Sequence, residues 1–253
     1  HRDLHLSLRR QRQMCIRDRL IGNTRWHWAI EKKDGWFFIH TPPDISKFNE
    51  IKNNLWRWAA VGPIPLDIRL DQSKSISLED IPLKNLPSWL GIDRALGSWA
   101  ALQTAKRLNI NSKELLIADA GTILSLTLIT ANGEFAGGQL VPGLQMQRSA
   151  MSNGTQNLKP INRNDIPKEK FPTSTEEAML RGSFQSMFGT LLEAQKEVGA
   201  PIWLCGGDSA IFVPYLKDRE VDVYHYPDLV LEGMIKINAS LKKEPNLRQS
   251  DQP

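Results

Sequence analysis

The stretch Leu115-Leu116-Ile117-Ala118-Asp119-Ala120-Gly121-Thr122 is an apolar run that ends in a carboxylate, a glycine and a hydroxyl. A second run, residues 123–130, is rich in apolar and β-branched side chains, and Asn132-Gly133 follows it as a turn signal. We therefore predict a β-strand, a short polar loop and a second strand. A glycine in such a loop lets the backbone approach a ligand closely.

The same pattern occurs once more, in the N-terminal half of the chain. Ile21-Gly22-Asn23-Thr24 opens a hairpin whose turn glycine, Gly35, follows Gly22 at nearly the spacing that separates Gly121 from Gly133. The repetition predicts a duplicated unit and favours phosphate binding by the two loops. A tight turn explains each tripeptide alone equally well, and neither loop matches the Walker or dinucleotide-binding glycine motifs.

Helical and strand patterns alternate along the rest of the chain, which predicts two α/β domains. Apolar residues at helical spacing predict helices over 48–58 and 95–108, and a short strand is expected over 66–70. We place the first domain at 20–112 and the second at 113–242. We expect a frayed tail over 243–253 and core packing for all eight tryptophans.

The formal charge of +4 is concentrated at one end of the 253-residue chain. Residues 1–19 hold six Arg against two Asp, and the remainder balances at 26 basic and 26 acidic side chains. The string from Gln13 to Arg19 is similar to translated adapter sequence. We therefore predict that residues 1–19 are a non-native or disordered leader, and nothing in the neutral remainder indicates nucleic acid or a membrane as a partner.

Few residues fit metal or disulfide chemistry. Cys15 and Cys205 are the two cysteines, so neither a disulfide framework nor a zinc motif is predicted, which suits the reducing cytoplasm. His27, His40 and His225 lack ligand spacing, and no catalytic histidine is predicted from them.

Four short segments carry candidate chemistry. Asp93 in Gly91-Ile92-Asp93-Arg94 fits either a helix N-cap or a general base beside a guanidinium. Asp119 ends a buried strand, where a carboxylate needs a partner or a cation. The glycine-rich segment 137–143 fits anion binding at a helix start or a β-bulge. Gly206-Gly207 fits either a nucleotide site or a simple turn.

Taken in order, these segments resemble the type III pantothenate kinases, of the superfamily that contains acetate and sugar kinases, Hsp70 and actin. The matching strings are Gly22-Asn23-Thr24, Gly91-Ile92-Asp93-Arg94, Asp119-Ala120-Gly121-Thr122, Gly137-Gly138 through Pro142-Gly143, Thr175-Glu176-Glu177-Ala178 with Gly182, and Gly206-Gly207-Asp208. The resemblance implies duplicated ribonuclease-H-like domains of the actin-like ATPase type with an interdomain cleft. It also implies a homodimer that phosphorylates pantothenate with ATP in the first step of coenzyme A biosynthesis, using Mg²⁺ and a monovalent cation, K⁺ or NH₄⁺.

By the same resemblance, each string has an implied role. Asp93 is the implied base toward the pantothenate hydroxyl, and Asp119 holds the monovalent cation. The implied pantothenate-binding residues are Gly91, Arg94 and, from the partner subunit, Thr175. The implied ATP-binding residues are Gly22, Asn23, Thr24, Gly121, Thr122, Gly206 and Gly207.

One departure from the family pattern concerns the first phosphate loop. The family has an aspartate two residues before the glycine, and Leu20 stands there in this chain. A lineage variant with weaker metal binding, a corrupted sequence and a catalytically dead protein each explain it. The alternative function is therefore a non-catalytic ATP-binding regulatory protein of the same fold, and a kinase for another small hydroxylated metabolite is a third possibility.

Overall fold

A computed structural model of the protein describes residues 15–51, 55–163 and 165–243. The chain divides into two compact units, one formed by His1–Ala100 with Asp228–Pro253 and the other by Ala101–Pro227. This division differs from the expected domains, 20–112 and 113–242, because the last helix belongs with the first unit and the boundary falls inside a helix.

The first unit contains a four-stranded sheet with the spatial order β3-β2-β1-β4. The pairs β1–β2 and β2–β3 are antiparallel, whereas β4 runs parallel to β1. A short helix, α1 (Ile45–Ile51), lies before β4 in the chain. The strands are β1 (Cys15–Ile21), β2 (Trp26–Lys32), β3 (Gly35–Thr41) and β4 (Arg57–Ala60).

The second unit repeats this topology and extends it by one strand. Its order is β7-β6-β5-β8-β9, with antiparallel pairs at β5–β6 and β6–β7 and parallel pairs at β5–β8 and β8–β9. Position for position, the first four strands match those of the first sheet, which confirms the predicted duplication. The strands are β5 (Glu114–Ala120), β6 (Ile123–Thr130), β7 (Phe135–Pro142), β8 (Ile202–Cys205) and β9 (Val223–His225).

Five longer helices complete the described part of the chain: α2 (Ile92–Arg107), α3 (Leu144–Gly154), α4 (Thr175–Val198), α5 (Ser209–Lys217) and α6 (Leu229–Lys243). Helix α4 shows why the local sequence sets these limits. The Ser174 side chain accepts a hydrogen bond from the Glu177 N–H at its start, and Gly199 ends it in the left-handed conformation at φ 67°. Among the described helices, none has the length and apolar character that crossing a membrane requires.

Each unit has its own apolar core. In the second unit, β5 is buried at Leu116 and Ala118, and α4 packs against it with Phe184 and Leu191. In the first unit the core gathers Ile21, Trp26, Trp28, Ile30, Phe48, Leu55 and Ile68. Apolar burial at this scale is the main favourable term in folding.

Several local expectations are wrong. Trp58 has helical spacing relative to Phe48 but lies in β4, because the strand pairs with β1 and a helix of that length would leave β1 without its parallel neighbour. Residues 66–70 form a turn and coil, not a strand. Trp89 is 67% exposed, so core packing does not describe all the tryptophans.

The leader expectation also needs correction, since β1 begins at Cys15 and therefore takes in the last five residues of the stretch 1–19. Asp18 and Arg19 are fully buried in this strand. Both oxygens of Asp18 accept from Asn238 Nδ2 at 2.7 Å. Residues 1–14 lie outside the described residues.

Arg19 occupies an unusual environment for a charged side chain. Its guanidinium carbon lies 3.7 Å from the ring centre of Trp26, 4.4 Å from that of Trp28 and 4.1 Å from that of Phe48. None of its three guanidinium nitrogens has a hydrogen-bond partner among the described residues. Burial lowers the pKa of Arg19 to about 9. The three rings offset part of the desolvation cost but do not replace the lost hydrogen bonds.

We expect Arg19→Met to stabilise the protein by about 1 to 3 kcal/mol at pH 7, because it removes a buried charge and keeps the volume. The folded pKa lies below the unfolded one, so the wild type regains stability above pH 9 and the difference shrinks there. Denaturant titrations at pH 7 and above pH 9 measure the difference in unfolding free energy between the wild type and the variant. Arg69→Met is the matched control at an exposed position, and a less stable Arg19→Met protein would contradict the expectation.

Candidate functional site

The first glycine loop connects β1 to β2 and closes on itself. The Gly22 N–H donates to the Arg25 carbonyl at 3.0 Å, and Asn23 and Thr24 are exposed at the tip. A Cβ at position 22 would lie 2.7 Å from the Arg25 oxygen and 3.2 Å from His27 Nε2. Only glycine therefore fits this turn without a shift of its neighbours.

The chain segment after β4 holds this loop against the end of the sheet. The N–H groups of Val61 and Gly62 donate to the Ile21 carbonyl at 2.9 and 3.2 Å. A Cβ at position 62 would lie 2.8 Å from the Gly22 oxygen. Gly62 thus shapes the first loop, although it follows β4 in the chain. Sequence patterns around the loop therefore do not reveal it.

The second glycine loop connects β5 to β6 and is enclosed by two further glycines. The Gly143 N–H donates to the Thr122 carbonyl at 3.0 Å, and a Cβ there would overlap the carbonyl oxygen of Gly121. Gly206, at φ 91°, lies so close to Asp119 that a Cβ would overlap the Asp119 carboxylate. The Asp119 carboxylate is therefore held between the loop and the turn that follows β8.

The strand ends that carry the two loops are equivalent in backbone and different in charge. Leu20 pairs with Ala59 on the parallel strand, as Asp119 pairs with Cys205. Three residues after these partners, the N–H of Gly62 donates to the Ile21 carbonyl and that of Asp208 donates to the Ala120 carbonyl. Leu20 therefore holds the structural position of Asp119. It is 5% exposed.

The segment Gly91 to Arg94 forms the start of α2. The helix begins at Ile92, so Asp93 lies in its first turn and does not have the N-cap role considered from the sequence. Asp93 Oδ1 accepts from the Arg94 N–H at 2.8 Å, and a Cβ at position 91 would lie 2.5 Å from that same oxygen. Glycine at 91 leaves the room that this carboxylate occupies.

Burial sets the electrostatics of the Asp93–Arg94 pair. It raises the pKa of Asp93, and the Arg94 N–H and the Arg94 charge oppose this only in part. It also lowers the pKa of Arg94, against the attraction of Asp93. The exposed ring of Trp89 lies 6.0 Å from the Arg94 guanidinium carbon. A partly buried carboxylate beside a cation is an arrangement suited to accepting a proton.

The remaining predicted residues occupy two places. Thr175 is the exposed first residue of α4. Gly206 and Gly207 form the turn after β8, and the Ser209 hydroxyl donates to the Gly206 carbonyl at 2.6 Å. In the segment 137–143, Gly137 has φ 128° beside a register shift between β6 and β7, so the β-bulge interpretation is the one that the structure supports.

Side chains alone do not build a metal centre within the described residues, where no group of three or more His, Cys, Asp or Glu is close enough to hold an ion. Asp119 nevertheless presents a carboxylate oxygen beside the Gly121 loop. Hard cations prefer oxygen ligands, so this single carboxylate fits a cation that takes most of its remaining ligands from phosphate and water.

Comparison with known proteins gives a consistent result. A family model described as type III pantothenate kinase matches residues 75–196. A type III pantothenate kinase of Synechococcus sp. (strain JA-2-3B'a(2-13)) is 30% identical over 238 residues, which cover 87% of this chain and 88% of the relative. That of Thermosynechococcus vestitus is 34% identical over 172 residues, 65% of this chain and 64% of the relative, which is just under two thirds of its length.

Solved structures share the fold. A structure assigned to the Baf family of transcriptional activators from Campylobacter jejuni has a TM-score of 0.60 at 22% identity, covering 91% of this chain and 99% of the other. A structure assigned as 2-dehydro-3-deoxygalactonokinase from Sinorhizobium meliloti has a TM-score of 0.53 at 11% identity, with the same coverage. At these identities the likeness concerns the fold, and it agrees with the predicted class.

We expect Gly206→Ala to cost more stability than Gly137→Ala. Both positions have positive φ, which costs about 1 to 3 kcal/mol for a residue with a side chain. Only at 206 does the new methyl group meet Asp119 and the Ala120 carbonyl, whereas position 137 is open. Denaturant unfolding measures the difference. Equal losses would show that the contact with Asp119 carries no weight.

We expect Asp93→Asn to be as stable as the wild type at pH 3 and more stable at pH 7. The pKa of Asp93 is raised on folding, so the wild type loses stability as the pH rises above the unfolded value of about 4, and an amide does not titrate. Thermal unfolding across this range measures the effect. Asp67→Asn, at an exposed position, is the control, and a variant less stable than the wild type at pH 7 would contradict the expectation.

Proposed function

The chain belongs to the family of type III pantothenate kinases, and from this premise we propose that it transfers the γ-phosphoryl group of ATP to the hydroxyl of pantothenate. The product is 4'-phosphopantothenate, and the reaction is the first step of coenzyme A biosynthesis. The observation that carries the proposal is the geometry of Asp93, a partly buried carboxylate in the first turn of α2 with Arg94 beside it.

Asp93 accepts the proton of the pantothenate hydroxyl in this proposal. Its raised pKa makes the carboxylate a stronger base than an exposed aspartate, which helps deprotonation as the bond to phosphorus forms. Gly91 and Arg94 bind the same substrate, with Arg94 as the cationic partner. Phosphoryl transfer depends chiefly on alignment and charge neutralisation, so the base makes a contribution and positioning makes the larger one.

The glycine loops bind ATP. Gly22, Asn23 and Thr24 present backbone and side-chain donors to phosphate oxygens, and so do Gly121 and Thr122. The support is that both loops are tight turns with exposed tips, held against sheet ends by the same backbone hydrogen bond. Gly206 and Gly207 contact the nucleotide from the turn after β8.

Cations neutralise the phosphate charge. Asp119 would hold the monovalent cation, K⁺ or NH₄⁺, through the oxygen that faces Gly206. Mg²⁺ would be held mainly by the phosphates, and when bound it withdraws charge from the transferred group. The Gly206 turn is therefore a part of this cation site, since it fixes where the Asp119 oxygen lies.

A homodimer is a part of the same proposal, with Thr175 reaching pantothenate from the partner subunit. Its support is that Thr175 is exposed at the first turn of α4. The cytoplasm is the proposed location, and Cys205, a buried thiol, is compatible with a reducing compartment.

A second candidate function has one specific observation in its favour. Leu20 puts a buried apolar side chain at the position equivalent to Asp119. A protein that lacks one of two paired carboxylates could bind ATP without transferring phosphate. This candidate is a non-catalytic ATP-binding regulator of the same fold.

Measurement of ADP release distinguishes the two functions. We expect ADP to form only when pantothenate is present, to form faster with K⁺ than with Na⁺, and to fall by roughly a hundredfold or more in Asp93→Asn, because general-base catalysis is worth that much. Asp67→Asn is the matched control and should retain wild-type turnover.

Three results would contradict the proposal. ATP binding without pantothenate-dependent ADP would favour the regulator. ADP formation with another hydroxylated metabolite, and none with pantothenate, would indicate a different kinase. Wild-type turnover in Asp93→Asn would remove the base role from that residue.

A further inference from the structure

A row of three residues crosses the first sheet directly beneath the Gly22 loop. Leu20 on β1 lies opposite His27 on β2, and His27 lies opposite His40 on β3. Residues that lie opposite in antiparallel strands point to the same face of the sheet. The two histidines therefore share the face on which Leu20 stands in the place of a carboxylate.

The equivalent row of the second sheet contains different groups. Asp119 on β5 lies opposite Ser125 on β6, which lies opposite Leu140 on β7. In the second sheet the ionisable group is on the first strand, and in the first sheet the ionisable groups are on the second and third. The exchange puts two imidazoles where the second unit has a hydroxyl and an exposed leucine.

The imidazoles form a chain of contacts that ends at a carboxylate. His27 Nδ1 lies 2.7 Å from His40 Nδ1, which is hydrogen-bonding distance. His40 Nε2 lies 2.9 Å from Asp228 Oδ1, just before α6. His27 Nε2, at the other end, is the side-chain atom nearest to the space that a Gly22 side chain would fill. The free end of the chain thus faces the glycine loop.

Two proton arrangements satisfy these contacts. With one proton on each ring, His27 Nδ1–H donates to His40 Nδ1, the His40 proton is on Nε2 at 2.9 Å from Asp228 Oδ1, and His27 Nε2 is an acceptor. A further proton taken up at His27 Nε2 moves the Nδ1 proton across to His40. The positive charge then lies on His40, beside Asp228, and His27 Nε2–H becomes a donor aimed at the loop.

The surrounding charges agree with this division. Burial, His40 and Arg25 lower the pKa of His27 to about 4, and Asp228 acts in the opposite direction. His27 alone is therefore a poor site for a positive charge, and His40 is the ring that contacts the carboxylate. The relay lets His27 donate a hydrogen bond while the positive charge lies on His40.

We propose that His27 donates a hydrogen bond from Nε2 to a phosphate oxygen of the nucleotide at the Gly22 loop, with His40 and Asp228 as positioning residues that supply its proton. The proposal rests on the proposed function only for the presence of a nucleotide at this loop. In this arrangement the relayed proton neutralises part of the phosphate charge at the first loop. At the second loop a carboxylate and its cation contribute to the same neutralisation.

Nucleotide binding tests the proposal without any need for turnover. The affinities of ATP and of adenosine are measured by calorimetry for the wild type, His27→Phe and Asp228→Asn. We expect His27→Phe to bind ATP roughly ten- to a hundredfold more weakly and adenosine unchanged, since a hydrogen bond to a charged group is lost and adenosine carries no phosphate. Asp228→Asn should show the same selectivity with a smaller loss.

Lys33→Gln is the matched control, because Lys33 is an exposed cation in the turn at the far end of the same hairpin. It should leave both affinities unchanged, which separates the local hydrogen bond from a general effect of charge. Should His27→Phe fail to fold, Asp228→Asn decides alone, since it leaves the His27 ring in place.

Unchanged ATP affinity in His27→Phe, or in Asp228→Asn when that variant decides alone, would overturn the proposal, as would equal losses for ATP and adenosine. Pantothenate-dependent ADP release by the wild-type preparation is measured in parallel. A protein without such release but with His27-dependent ATP binding would refute the kinase reaction and leave this inference standing. Pantothenate-dependent ADP release together with an ATP affinity that is unchanged in His27→Phe would refute this inference and leave the kinase reaction standing.

Discussion

One backbone hydrogen bond, repeated within each unit, organises the two glycine loops. The chain that leaves the parallel strand donates an N–H to the carbonyl just before the loop glycine, from Gly62 to Ile21 and from Asp208 to Ala120. The bond forms only because the parallel strand lies beside the first strand of its sheet. It holds each glycine loop to the end of the sheet, so the loop tip faces away from the core.

The same constraint explains where glycine is indispensable. At Gly62 and Gly206 the returning chain touches the loop backbone, and any side chain would meet a carbonyl oxygen. Gly143 has the same function from another direction, at the start of α3. The glycines that shape the loops from outside are therefore as constrained as Gly22, whereas a Cβ at Gly121 would make only ordinary contacts. The equivalent strand ends then leave side-chain chemistry free to differ between the halves.

The sequence predicts the features that depend on neighbouring residues, and the structure is needed for those that depend on distant ones. Both loop glycines, the two hairpins and the duplication follow from local turn and strand signals, and the order of strands in the two sheets confirms the duplication. The Asp93 segment is recognisable by its residue types. Its helix begins three residues earlier than periodicity suggests, because Ile92 is buried and extends the apolar face.

The histidine chain shows what sequence patterns cannot reveal. His27 and His40 become neighbours only through the register of β2 with β3, and Asp228 joins them from a segment far along the chain. The helix expected at Trp58 is wrong for a related reason, since pairing with β1 outweighs its helical spacing. Pairing across a sheet is set by the whole core, and a window of neighbouring residues does not contain that information.

Helix α6 has a consequence for how the protein is made. It belongs to the first unit, packs on β1 and β2, and passes so close to α2 that Gly233 lies against the Leu96 carbonyl. The second unit, by contrast, is one continuous segment of chain. During synthesis the second unit can therefore complete its core before α6, the final helix of the first unit, has been synthesised. The half that the ribosome begins first is the half that finishes folding last.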